Sequence, residues 1–396
     1  SLVRKYFNKG IRVIMAQNIR EFFLEETPKF FTYPQNIKTK PEPGDILITI
    51  TGANIGQNIL FLNYAKDKYY LTPDAAIIRP ENKKFSFFLV SFLNTDYFRS
   101  IVTKYIYGAG QPHLSLNDFQ NLKIPIPSDT FQKFIEKLVL RAYEERQKAE
   151  QLYKQAEEIL LEELGLKDWK PKTKKIKIGG REFEEEENIS IRMLSEVLKA
   201  DRMDAEYWEP KYDEMIEKLK EKTVLKPLKE FLSSKLLKGV EVGSENYQDY
   251  GIPFIRVSNI SKFGIVDRDQ KYISESLYLN LKDRFEPKKG EILLTKDATP
   301  GVAYVLKEDI KGIIASGIVR LKVEKIEKEY LSLVINSIIG QMQIIKEGGG
   351  SIISHWKPSQ IENLLIPIVD FQIQQKISRL IQQSFKAREN SKKLLE

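Results

Sequence analysis

The sequence predicts an α+β chain: two globular units and two long helices, related by a pseudo-two-fold internal repeat, with the helices packed as an antiparallel coiled coil. Three observations carry this. A set of short elements recurs in the same order at an offset near 241 within the 396 residues. Each set opens on strand-like runs and closes on an Ile-Pro-Ile segment. Each is followed by a run whose apolar or small residues recur at alternating three- and four-residue steps. The length itself suits two or three domains.

The elements pair off along the chain. Ile11-Arg12-Val13-Ile14, entered from Gly10, matches Pro253-Phe254-Ile255-Arg256-Val257 after Gly251, and both read as buried strands. Gly44-Asp45-Ile46-Leu47-Ile48-Thr49 matches Gly290-Glu291-Ile292-Leu293-Leu294-Thr295, β-branched runs opened by glycine. A glycine-bearing turn follows each: Gly52, Asn54 and Gly56 in one copy, Pro300-Gly301 in the other. Ala76-Ile77-Ile78-Arg79 is set against Gly317-Ile318-Val319-Arg320, and the stretches Phe87 to Phe98 and Lys328 to Ile339 read as helical. Gly108-Ala109-Gly110 parallels Gly348-Gly349-Gly350, and the two histidines, His113 and His355, correspond at an offset of 242. Ile124-Pro125-Ile126-Pro127 and Ile366-Pro367-Ile368-Val369 close each copy in extended form, because a residue before proline avoids the helical region.

The helical runs come next. In the first, Ile135, Leu138, Ala142, Ala149, Leu152, Ala156 and Ile159 keep the alternating spacing, with a break at Glu145. Asp129-Thr130 offers a start cap and Gly165 a stop. In the second, Ile377, Leu380, Ser384, Ala387, Ser391 and Leu394 repeat the spacing. A period near 3.5 calls for two helices packed along a narrow seam. At about 1.5 Å per residue the first helix is on the order of 50 Å long. Antiparallel packing of the two helices of one chain is the preferred reading, and a homodimeric coiled coil is the alternative. The domain layout is then a first globular unit over 1–128, a central helix over 129–166, a linker over 167–200, a second unit over 201–369 and a C-terminal helix over 370–396. Within the linker, five lysines fall between Lys170 and Lys177, ahead of an acidic run from Glu184 to Glu187. A solvated linker explains that pattern better than a phosphate site does.

Composition bounds the function. Sixty-three Lys plus Arg against fifty-five Asp plus Glu give a net charge of +8, a moderate basic excess compatible with nucleic acid but not proof of it. The absence of cysteine excludes disulfides, thiolate metal sites and cysteine nucleophiles. With two histidines, neither close in sequence to a carboxylate or to the other, histidine metal chemistry is not indicated. No apolar run suits a membrane span. The opening Ser1-Leu2-Val3-Arg4-Lys5 is not a secretory signal, so the expected location is cytoplasmic. No phosphate-binding loop with its lysine, no Gly-x-Ser-x-Gly elbow, no Gly-x-Gly-x-x-Gly cofactor turn and no Asn/Asp-Pro-Pro-aromatic tetrapeptide occurs. Pro73-Asp74 with Glu81-x-Lys83 superficially resembles a nuclease core, but at offset 241 Asp74 faces Ala315.

The polar loops after the matched strands remain. Thr49-Ile50-Thr51-Gly52-Ala53-Asn54-Ile55-Gly56 and Thr295-Lys296-Asp297-Ala298-Thr299-Pro300-Gly301 share a scaffold and differ in polar side chains. Glycine lets a backbone approach a ligand, and Thr, Asn, Lys and Asp suit base edges or phosphates. Two readers of different short sequences would look like this, and so would two structural turns.

The chain resembles the specificity subunits of type I restriction-modification systems over essentially its whole length. The resemblance rests on Asp201-Arg202-Met203-Asp204-Ala205-Glu206-Tyr207-Trp208-Glu209-Pro210-Lys211-Tyr212, and on the Gly-Asp/Glu-Ile-Leu strand with its Thr-Gly-x-Asn-Ile-Gly turn. It rests also on the Gly-Gln-x-x-Leu-Ser loop before Ile-Pro-Ile-Pro, and on the helix ending Glu162-Glu163-Leu164-Gly165-Leu166. Two departures stand out. The 201–212 signature occurs once, so the first unit is expected to be incomplete at its N-terminus, and the second turn lacks Asn-Ile-Gly. The resemblance implies two target-recognition domains reading an asymmetric bipartite duplex, long helices as spacers, and no catalysis in this chain. It implies two modification subunits that methylate adenine and restriction subunits that cleave. S-adenosylmethionine, ATP and magnesium are expected on those partners and no cofactor on this chain. A coiled-coil scaffold without DNA function is the alternative. The expected DNA-contacting residues are Gln17, Asn18, Thr51, Asn54, Gln111 and His113 in the first half. In the second they are Arg256, Ser258, Asn259, Lys296, Asp297, Thr299, Ser351 and His355. Arg256 and Lys296 suit guanine acceptors; Gln and Asn suit adenine.

Overall fold

The computed structural model describes residues 11–24, 31–32, 39–52, 54–62, 69–108, 110, 112–178, 181–186, 190–267, 269–348 and 355–396. The chain forms two compact units, Ser1–Lys148 with Ala387–Glu396, and Ala149–Lys386.

In the first unit, Asp45–Thr49 is a central strand between Asn58–Phe61 and Ala75–Ile78, all antiparallel, with Glu21–Phe22 parallel at the edge. Its side chains alternate between two cores. Ile46 and Ile48 face the helices Phe85–Leu93 and Asp96–Val102, while Leu47 joins Ile14, Ile19, Ile59 and Leu71 on the other side. Burial on both faces explains a nearly continuous apolar run. A second sheet places Ile11–Ile14 antiparallel to Phe31–Thr32 and parallel to Tyr69–Leu71.

The second unit repeats this plan. Ile292–Thr295 lies between Ala303–Val305 and Ile318–Leu321, with Leu237–Lys238 outside the latter. Ile252–Ile255 pairs antiparallel with Lys271–Ile273 and parallel with Ile313–Ile314. Ile292 and Leu294 enter the core beneath the Lys328–Asn336 helix, and Leu293 the opposite one. The strand openings match to the level of single bonds. Gly44 N–H donates to Phe61 O at 2.8 Å, and Gly290 N–H to Leu306 O at 2.8 Å.

The sheet register corrects one detail of the repeat. Thr49 pairs with Ala75 and Thr295 with Ile318, so Arg79 corresponds to Lys322 and not to Arg320. Asp74 accordingly falls opposite Gly317, still without an acid. The carboxylate that opens each strand is buried and held by cations: Asp45 by Arg79 and Lys83, both at 2.7 Å, and Glu291 by Arg320 at 3.3 Å and Lys322 at 3.6 Å. Burial pushes the Asp45 carboxyl up. The bonds from Arg79, Lys83 and the Glu42 N–H outweigh it and hold the group below the usual carboxylate range.

The long helices are Asp129–Glu163 and Phe371–Leu395. Ser128 caps the first, its Oγ accepting from Phe131 N–H at 3.4 Å, so the cap lies one residue before the expected pair. Gly165 ends it at φ +67, with Leu166 N–H on Leu161 O at 2.7 Å and Gly165 N–H on Glu162 O at 3.0 Å. The buried positions are Val139, Ala142, Ala149, Tyr153, Ala156 and Leu160. The period is as expected and Ala142, Ala149 and Ala156 keep their places, while the alternate positions shift by one residue to Val139, Tyr153 and Leu160. Arg146 takes the turn where Glu145 breaks the pattern, and Leu138, Leu152 and Ile159 stay half-buried. In the first unit, Ser391 Oγ donates to Ala142 O at 2.7 Å and Asn390 Nδ2 to Glu145 Oε2 at 3.3 Å, so residue numbers fall on one helix as they rise on the other. In the second, Ser384 Oγ donates to Ala149 O at 2.6 Å.

The lysine-rich stretch forms a hairpin. Thr173–Ile178 pairs antiparallel with Arg181–Glu186, setting Lys174 across from Glu185, Lys175 from Glu184 and Lys177 from Glu182. The 201–212 signature is a clasp. Arg202 binds both oxygens of Asp204 at 2.6 Å, lies 4.8 Å over the Tyr207 ring and donates to Glu347 O at 3.0 Å, at the end of the Ile338–Gly348 helix. Trp208 Nε1 closes it on Arg202 O at 2.9 Å.

Candidate nucleic-acid interface

Three loops meet in the first unit. Leaving the Ile11–Ile14 strand, the chain makes a 3-10 turn over Ala16–Asn18. Leaving Asp45–Thr49, it makes the glycine turn, which Gly56 closes at φ +89 through an N–H bond to Thr49 O at 3.0 Å. The third loop precedes the His113–Leu114 strand. Arg20 Nη1 joins the first two by donating to Asn54 Oδ1 at 3.0 Å. Gly52 N–H on Pro112 O at 3.3 Å, Leu114 N–H on Ile50 O at 2.8 Å and a Thr51–His113 bridge join the second and third. Gln17 and His113 are exposed there, and Thr51 and Asn54 half-buried. Gln111 and Ser351 lie outside the described residues.

The second unit joins its second and third loops in the same way, with other side chains. Gly301 N–H closes its turn on Thr295 O at 2.8 Å, at φ +88. Trp356 N–H donates to Lys296 O at 2.9 Å, and Asp297 bridges His355 as Thr51 bridges His113. The dihedral favours glycine at 301, and a Cβ there would fall 2.3 Å from Ile344 Cδ1, so the Ile344 tip would have to shift. Ala298, at φ +58, shows that the turn is tightly constrained.

Several expected contacts have other duties. Asn18 Oδ1 accepts from Met15 N–H at 3.0 Å, and Asn259 Oδ1 from Arg256 N–H at 3.0 Å, in equivalent turns. Asn259 is fully buried and also donates to Val266 O at 3.2 Å. It shapes the turn and presents nothing to a ligand. Arg256 is bound to Asp269, at 3.0 Å to Oδ2 and through the backbone oxygen. Lys296 is 8% exposed, with its ammonium 2.6 Å from Asp297 Oδ2. Neither cation stands free for guanine: a buried ammonium keeps its counter-ion. The other Asp297 oxygen lies 3.0 Å from His355 Nδ1. Burial raises the Asp297 carboxyl, and the bonds from Lys296 and His355 bring it below its ordinary value. Ser258, Thr299 and His355 are exposed.

Arg20 and Asp269 belong to these junctions and were not among the expected residues. Arg20 lies two positions beyond the selected Asn18, a proximity that could have flagged it. Asp269 lies ten residues past Asn259 and carries no sequence signal. Among the described residues no cluster of three metal-ligating side chains occurs, and no helix is long and apolar enough to cross a membrane.

The arrangement presents a duplicated scaffold that carries different polar side chains in its two copies. The family model described as the type I restriction modification DNA specificity domain matches residues 6–154 and again 222–396. The chain belongs to this family and carries its domain twice. None of the curated proteins compared matches it. Among solved structures, it is similar to the type I restriction-modification S subunit from M. genitalium, at 13% identity and TM-score 0.38, over 98% of this chain and 86% of that one. It is also similar to the HsdS subunit from Thermoanaerobacter tengcongensis, at 15% identity and TM-score 0.29, over 99% of this chain and 89% of that one.

Proposed function

We propose that the chain reads a bipartite, asymmetric DNA target and directs adenine methylation or cleavage by partner subunits at that target, without catalysing either reaction itself. The observation that carries this reading is the doubled junction of glycine turn and histidine loop, alike in backbone bonding and unlike at its tips: Thr51, Asn54 and His113 in one unit, Thr299 and His355 in the other. Such tips read base edges, and unequal tips call for unequal half-sites. The two long helices act as an antiparallel coiled-coil spacer that sets the gap. Two modification subunits carrying S-adenosylmethionine, and restriction subunits using ATP and magnesium, are the partners, in the cytoplasm. The net charge of +8 is modest for a DNA-binding chain, and the partners add phosphate contacts.

The test is selection of duplexes from a randomised pool by the chain assembled with its modification subunit. Two conserved blocks separated by a constant unread gap are expected. No enrichment by an assembly shown to be intact would refute the reading and favour the coiled-coil scaffold.

A further inference from the structure

We propose that Asp297 orients the His355 ring so that Nε2 is presented as a hydrogen-bond acceptor, and that the second unit uses it to read the exocyclic amino group of an adenine or cytosine. The inference rests on the DNA-reading function proposed above.

Asp297 bridges two groups of different exposure. One oxygen holds the Lys296 ammonium at 2.6 Å, with the lysine side chain 10% exposed. The other lies 3.0 Å from His355 Nδ1, on a ring 70% exposed. The buried lysine keeps the carboxylate ionised, in line with its lowered pKa. An ionised carboxylate only accepts, so Nδ1 carries the proton of the neutral ring and the lone pair falls on Nε2, at the far side of the imidazole. A fixed acceptor selects a donor. In the major groove the donors are the adenine N6 and cytosine N4 amino groups.

The duplicate supplies the contrast. Thr51 stands opposite His113 where Asp297 stands opposite His355. A threonine hydroxyl both donates and accepts, so it selects no tautomer. The corresponding preceding residue, Ile50, carries no charge. The two histidines therefore occupy equivalent positions with different hydrogen-bonding characters, as two unlike half-sites require. Lys296 and Asp297 are part of the device as an internal ion pair, and His355 is the group that reaches outward.

The experiment is the same duplex selection, run with the assembled complex and variants of this chain. His355→Ala removes an exposed ring and leaves the Lys296–Asp297 pair intact. The expected result is that one position of the second half-site loses its preference for adenine or cytosine by about tenfold, the order of one mismatched base pair, while the first half-site is unchanged. A second variant, Lys296→Met with Asp297→Asn, leaves no stranded charge and allows the amide to donate to Nδ1. The same position then shifts toward guanine or thymine, whose groove edges accept. A merely structural role would weaken the second half-site throughout without exchanging one base for another. Unchanged preferences at every second-half position in His355→Ala overturn the inference. Failure of the unsubstituted complex to select any sequence overturns the DNA-reading function instead, so the two failures are distinguishable.

Discussion

Inserting one heptad into each long helix should lengthen the unread gap and leave both half-sites intact. The bonding of the helices supplies the insertion points. Ser391 donates to Ala142 and Ser384 to Ala149, seven residues apart on both helices. Seven residues placed between Ala142 and Ala149, and seven between Ser384 and Ser391, preserve both bonds and the alternation of small and apolar positions. Seven residues at about 1.5 Å add about 10.5 Å of helix, or about three base pairs at roughly 3.4 Å each. Three base pairs also turn the groove by about 100°. The variant should bind more weakly, and the gap is therefore read from selected sequences and not from affinity. The assay is duplex selection, or methylation mapping, with the complete complex. A gap longer by about three base pairs between unchanged half-sites is expected. An unchanged gap in a folded variant would refute the spacer argument. An insertion in one helix alone puts the two hydrogen bonds out of register and should destabilise the chain.

Other outcomes follow from single residues. Gly301→Ala forces a side chain into a positive-φ position and against Ile344; about 1–3 kcal/mol of destabilisation is expected, seen as a lower Tm with selective weakening of the second half-site. Ser384→Ala removes a buried hydroxyl bonded to Ala149 O; a loss of about 1 kcal/mol, or about 2–4 °C in Tm, is expected, and no change would mean that the bond adds nothing to stability. Asp45 has a lowered pKa in the fold. Its stabilisation is present above the unfolded-state value near 4 and is lost as pH falls through the folded value. The Tm of the parent should drop across that acidic window more steeply than that of Asp45→Asn, and parallel Tm curves below pH 5 would contradict the assignment.

Much of the architecture was legible in the sequence because the strands that position the loops are buried on both faces. Ile46-Leu47-Ile48 and Ile292-Leu293-Leu294 have no solvent face to conceal the pattern, and each begins at a glycine with positive φ. The helix seam was legible in period, and in phase at Ala142, Ala149, Ala156, Ile377, Ser384, Ala387 and Ser391, but not at the larger positions of the first helix. Small and large residues are interchangeable in a spacing count, whereas burial distinguishes Val139 from Leu138 and Tyr153 from Leu152. The two-residue shift that pairs Arg79 with Lys322 depends on sheet register, which a gapless comparison of Ile-Ile-Arg with Ile-Val-Arg does not reveal. The polar tips were the hardest to read. Asn18 and Asn259 follow strands and carry base-pairing amides, yet their oxygens hold the turns. Arg256 and Lys296 look like free cations until Asp269 and Asp297 are placed beside them. The same residue types serve turn geometry and base recognition, and only the bonding partner separates the two uses.

The measurement that tests the central claim most directly is genome-wide mapping of methylated adenine in cells that carry the intact gene with its modification partner, against cells that lack this chain. The account predicts chain-dependent methylation at a two-part sequence with unlike halves and one constant gap. No chain-dependent methylation, with the modification partner shown to be present and active, would contradict it.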